Sequence, residues 1–101
     1  MTINKTQENG KLTIAPAGRL DTSTSPQFQE ALIPAFGEAK EVMIDLAGLA
    51  YVSSAGLRVL LMGQKEAKAQ NAAMTLCNVS EEIMDVFDMT GFSDMLDIIR
   101  N

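Results

Sequence analysis

Two adjacent serines, Ser53 and Ser54, stand where a buried strand (Val42 to Asp45) and a short loop give way to an apolar helical run beginning near Ala55. The first backbone N–H groups of a helix have no partner within it, and the macrodipole is positive at that end. A serine placed there either accepts those N–H bonds itself or carries a phosphate that does. On residue type alone the first reading is the ordinary one. A third polar residue, Asp21, closes the segment Gly18-Arg19-Leu20-Asp21 and falls at the same end of the expected sheet. It is either a turn or cap residue or a second contact beside the serines.

Other chemistries find little support. The chain has no histidine, which removes the commonest member of nucleophilic triads and zinc sites. No base stands at a recognisable spacing to activate either serine, so an enzyme is not expected. The single cysteine, Cys77, cannot form an internal disulfide; in the run AAMTLCNV it reads as a small buried side chain. Asp45 reads as a strand-end carboxylate bonding to nearby backbone.

Composition and charge bound the rest. At 101 residues the chain is a single domain spanning 1–101. Hydrophobic residues make up 47% of it and aromatic ones only 5%, so the core must be aliphatic, with Phe28, Phe36, Phe87 and Phe92 as its larger pieces. The net charge is -5. Residues 1–80 hold seven acidic and seven basic side chains, whereas 81–101 hold six acidic ones and Arg100. The whole excess lies at the C-terminal end, where a solvated helix face is the simplest reading, and nucleic acid is not an expected partner. The N-terminus lacks a charged leader followed by an apolar run, and no window is long enough to span a bilayer, so a cytoplasmic protein without membrane insertion is expected.

The elements that must position the serines follow from pattern. Residues 2–17 predict a β-hairpin around Asn9-Gly10, with the second strand ending near Ala17 and Pro16 at an edge, a bulge or the strand's last residues. A helix starts after Thr24, through a Thr24/Gln27 capping box, or after Ser25, with Pro26 at the first helical position. It carries Phe28, Leu32, Ala35 and Phe36 on one face, is kinked or ended by Pro34, and stops around Gly37. Glu41 to Leu46 is the central strand. The helix from Ala55 runs to about Gln70, with Leu57, Leu60 and Leu61 inward, Lys65, Glu66 and Lys68 outward, and Gly56, Gly63 and Ala67 as a small-residue track. Ala73 to Asn78 is a strand, Ser80 caps a helix through about Met89, Gly91 breaks it, and Met95 to Ile99 is a last short strand. The order is β-β-α-β-α-β-α-β: an α/β fold with a mixed sheet, helices packed mainly on one face, and Asp21, Ser53 and Ser54 together at the carboxyl ends of strands.

The segments GRLD at 18–21, DLAGLAYVSSAGLRVLL at 45–61 and VFDMTGF at 86–92 together resemble the STAS domain family, especially the bacterial anti-sigma-factor antagonists. The likeness covers roughly the last four fifths of the chain. It implies a binding protein, not an enzyme, that is phosphorylated by a serine-kinase anti-sigma factor and restored by a metal-dependent serine phosphatase. The unphosphorylated form binds the kinase and so frees the sigma factor or other target. The chain itself holds no cofactor; ATP is used by the partner kinase. By position the modified residue is Ser54, two before the motif glycine Gly56, with Ser53 as second choice. Many antagonists carry an aspartate where Ser53 stands, and many continue into a further helix after the last strand.

The implied partner surface comprises Asp21, Ser53, Ser54, Gly56, Arg58, Val59 and Met62. Val59 and Met62 belong to it if exposed and to the core if buried. A free monomer is expected of a protein that exchanges partners. The alternative is a STAS subunit of a transport or scaffold assembly that binds without a phosphate cycle, in which Ser54 is merely a cap.

Overall fold

A computed structural model describes residues 1–99. The chain opens with a hairpin of β1 (Thr2–Glu8) and β2 (Lys11–Leu20), in antiparallel register from Thr2↔Ala17 to Glu8↔Lys11. Asn9 and Gly10 both have positive φ, 50° and 79°, the two-residue turn whose twist matches that of the flanking strands. After α1 (Ser25–Leu32) and the single turn α2 (Ala35–Glu38) come β3 (Glu41–Asp45) and β4 (Leu49–Val52). The chain continues through α3 (Ser54–Ala69), β5 (Ala73–Cys77), α4 (Glu81–Thr90) and a 3-10 turn at Phe92–Asp94.

The sheet order is β1-β2-β3-β5, with β2/β3 and β3/β5 parallel, and β4 pairs parallel with the far end of β2. This is the expected mixed sheet, with one addition. The stretch between the central strand and the serines is not a loop but holds β4. The second strand likewise runs three residues past Ala17, to Leu20, because β4 gives its last residues a partner. Pro16 falls between the two parallel registers, which end at Ile14 and resume at Gly18, so its missing N–H interrupts neither.

Side-chain alternation makes one sheet face the core. Leu12, Ile14, Val42, Ile44, Met74 and Leu76 are buried on it and join Phe28, Leu32, Phe36, Leu57, Leu60, Ile83 and Phe87 from the helices in one cluster. Phe28, Phe36 and Phe87 are fully enclosed, each stabilising the fold by about 1.5–3 kcal/mol relative to an exposed side chain. The opposite face, with Thr13, Met43, Thr75 and Cys77, is only half covered. Cys77 is therefore not the buried side chain expected of it: Met74 and Leu76 take the core parity, and Cys77 falls on the open face.

The expected last strand, Met95 to Ile99, is reduced to a single parallel bridge between Leu76 and Ile98. Leu76 N–H donates to the Asp97 carbonyl at 2.9 Å, and Ile99 N–H to the Leu76 carbonyl at 2.8 Å. The bend and 3-10 turn after Gly91 (φ 80°) use up the residues that would have extended the pairing. No described helix is long and apolar enough to cross a membrane.

Candidate functional site

The site lies where β2 and β4 end side by side. Their register runs Gly18↔Leu49, Arg19↔Tyr51 and Leu20↔Val52, so Ala50 is an extra residue on β4, a bulge opposite the positive-φ Gly18. Just past the last pair, Ser53 N–H donates to the Leu20 carbonyl at 2.9 Å. The residues that follow, Asp21 on one strand and Ser53-Ser54 on the other, are thereby brought to one edge of the molecule, as their place at strand ends implied.

Asp21 is the centre of a compact turn. Its Oδ1 accepts hydrogen bonds from the Ser23 hydroxyl at 2.8 Å and from the N–H groups of Ser23 and Thr24 at 3.0 and 3.1 Å. The Ser23 hydroxyl, then the Thr24 N–H, hold the carboxyl below its usual pKa, outweighing an opposing desolvation. Thr24 is the cap position of α1, but its hydroxyl is diverted: it accepts from Asp21 N–H at 2.9 Å and donates to the Arg19 carbonyl at 2.7 Å. Neither expected cap forms. Ser25 instead donates its hydroxyl to the Asp21 carbonyl at 2.6 Å and is buried. Asp21 thus performs the turn role foreseen for it while its other oxygen, Oδ2, lies 3.9 Å from Arg19 Nε.

The serines divide their tasks. Ser53 is the N-cap of α3, extended at φ -96° and ψ 176°, and its hydroxyl accepts from Gly56 N–H at 3.4 Å. Ser54 is the first helical residue. It is exposed, and its hydroxyl makes no hydrogen bond among the described residues. The cap that residue type suggested for Ser54 is thus supplied by its neighbour, and Ser54 presents a free hydroxyl at the positive end of a 16-residue helix.

Gly56 explains how that helix comes so close to the strands. A Cβ there would lie 2.6 Å from Leu20 Cγ and 3.0 Å from Val52 Cγ2, so only glycine lets the first turn rest on the ends of β2 and β4. Gly56 is buried, and its part is packing, not partner contact. Val59 is 4% exposed and is likewise core. Met62 is half-buried, and Arg58 is exposed with no ion pair or hydrogen bond among the described residues.

One feature of the site goes beyond the residues singled out from sequence. The guanidinium of Arg19 lies 4.1 Å from the ring centroid of Tyr51, which is 39% exposed. Such a contact contributes about 0.5–1 kcal/mol at an exposed position. Tyr51 is the chain's one tyrosine, in the β-favouring run LAYV. That composition was the available signal for β4 and for an aromatic beside the serines. At the neighbouring strand ends Asp45 Oδ1 accepts from Ala47 N–H and from Asn78 Nδ2, both at 3.0 Å, a structural role as expected.

The chain resembles known proteins over nearly its whole length. The STAS domain model matches residues 2–101. The anti-sigma-B factor antagonist of Bacillus subtilis is 30% identical over 95% of this chain and 88% of its own length. Among solved structures, an anti-sigma factor antagonist from Mycobacterium paratuberculosis superposes with a TM-score of 0.87 at 16% identity, covering 99% of this chain and 86% of that one. The Bacillus cell fate determinant SpoIIAA in its phosphorylated form superposes with a TM-score of 0.75 at 18% identity, covering 99% and 93%.

Proposed function

This chain belongs to the STAS domain family, and we propose that it works there as an anti-sigma factor antagonist whose partner binding is switched by a phosphate on Ser54. The observation that carries this reading is the unengaged, exposed hydroxyl of Ser54 at the start of α3, with the capping task taken by Ser53. The name of the 30%-identical relative supports the antagonist role, and a phosphorylated form is known for a protein of this fold.

In the proposed cycle the partner is a serine-kinase anti-sigma factor. Ser54 Oγ attacks the γ-phosphorus of the kinase's ATP, the bond from that phosphorus to the bridging oxygen breaks, ADP departs and the hydroxyl proton passes to a base of the kinase. A metal-dependent serine phosphatase returns the hydroxyl by hydrolysis. The modification adds about -1.5 to -2 charges at a helix N-terminus, where the domain accommodates them. A partner pressed against the same surface has to desolvate or repel that charge, so binding is lost while the fold persists. Unphosphorylated protein binds the kinase and releases the sigma factor or other target. The free protein is a cytoplasmic monomer in this account.

The test is capture from the protein's own cells with three baits. Wild type and Ser54→Ala should retain a serine-kinase anti-sigma factor that Ser54→Glu does not. Equal retention by all three would instead support a STAS subunit that binds without a phosphate cycle.

A further inference from the structure

We infer that Arg58 is the intramolecular partner of a phosphate on Ser54, so that the modification withdraws an arginine from the partner-facing side of α3 as well as adding charge there. The inference rests on the proposed phosphorylation of Ser54. The buried residues of α3 are Gly56, Leu57, Val59, Leu60, Gly63 and Ala67. Among the outward residues, Ser54, Arg58, half-buried Met62 and Lys65 form one stripe along the helix. Residues four apart on a helix have Cβ atoms about 5–6 Å apart, and the pairing is stronger with the acidic member N-terminal, the order found here. Arg58 has no other partner among the described residues, so its planar fork is free to take two phosphate oxygens.

The competing charges are poorly placed. Arg19, the other cation at this end of the sheet, is stacked on Tyr51 and lies 3.9 Å from Asp21 Oδ2. Asp21 is a carboxylate at neutral pH, its pKa being lowered, and repels a phosphate. Lys65 stands eleven positions along the helix from Ser54, about 16 Å at 1.5 Å per residue. Arg58 is the cation whose position matches the phosphate, and pairing removes it from the surface offered to a partner.

The experiment installs phosphoserine at residue 54 of the full chain during translation, with no kinase, and follows the phosphate by 31P NMR as pH is varied. The second phosphate ionisation, ordinarily near pH 6, should fall about 0.2–0.4 of a unit lower in the Arg58 protein than in an Arg58→Gln protein. Arg58→Lys, which keeps the charge but not the fork, should lie between them. Unmodified Arg58→Gln should melt with the wild type, since the side chain has no structural bond to lose. Coincident midpoints for the Arg58 and Arg58→Gln phosphoproteins would overturn the pairing. Because the phosphate is installed directly, that result is independent of whether cells ever modify Ser54, which is decided by mapping phosphate on protein taken from cells.

Discussion

Replacing each serine by alanine should have opposite consequences for stability and for switching. Ser53 accepts Gly56 N–H at 3.4 Å from an extended N-cap conformation, whereas the Ser54 hydroxyl is unengaged on the first helical residue. Loss of a serine cap costs about 0.5–2 kcal/mol, and the length of this bond places it at the lower end, about 0.5–1 kcal/mol. For a domain of this size, 1 kcal/mol corresponds to about 4–8 °C in Tm, so Ser53→Ala should melt about 2–8 °C below wild type. Ser54→Ala removes no bond and places the best helix former in a first turn, so its Tm should stay within about 2 °C of wild type. Ser53→Asp keeps an oxygen at the cap and adds a negative charge at the dipole's positive end; it should match wild-type stability or exceed it. Thermal melts by circular dichroism, with urea titration as a second measure, decide the matter. A Ser54→Ala protein less stable than Ser53→Ala would refute the division of labour between the two hydroxyls and with it the reason for preferring Ser54 as phosphosite.

Three further outcomes follow from the structure. Gly56→Ala should destabilise despite alanine's higher helix propensity, worth at most about 1 kcal/mol, because a Cβ 2.6 Å from Leu20 Cγ forces a buried side chain to move and overpacking costs about 1–3 kcal/mol; a more stable variant by urea denaturation would contradict that packing. Asp21 has a depressed pKa in the folded state, so its stabilisation is fully present above the unfolded value of about 3.9 and is lost as pH falls through the lower folded value. Asp21→Asn should therefore melt below wild type at pH 7, with the gap closing below about pH 4; a gap independent of pH would show that the hydrogen bonds do not depend on the charge. Partial desolvation on the half-covered face, then the charge of Asp45, pushes the Cys77 thiol up, so its alkylation at pH 7 should be slower than that of a free cysteine peptide, and an equal or faster rate would oppose this placement.

Much of the scaffold was legible because its signals are local. Asn9-Gly10 fixes the hairpin, Ser80 accepts Ile83 N–H at 3.2 Å to start α4, and Gly91 in the left-handed region ends it. What escaped depends on pairing between distant residues. β4 is four residues long with the bulged Ala50 inside it, so Ala50 and Tyr51 are exposed in succession and no alternation survives in LAYV. The second strand was expected to end near Ala17 because Pro16 and Gly18 are breakers in isolation; the two parallel partners on either side of Pro16 make them acceptable. Val59 was ambiguous because α3 rests on both the strand ends and α1, where a Cβ on Gly63 would lie 2.6 Å from Leu32 Cδ2, and this widens its buried face beyond the leucines. At the start of α3, SSAGL offers two adjacent hydroxyls, and which of them caps the helix is settled by a single backbone conformation that residue type does not reveal.

As the proposed switch, Ser54 carries a phosphate whose level changes with the state of the cell. The direct measurement is phosphosite mapping on this protein recovered from its own cells under several growth conditions, with metal chelated at lysis to arrest the phosphatase. Phosphate should be found on Ser54 in an amount that varies between conditions. Phosphate confined to Ser53, or none on either serine under any condition, would contradict it.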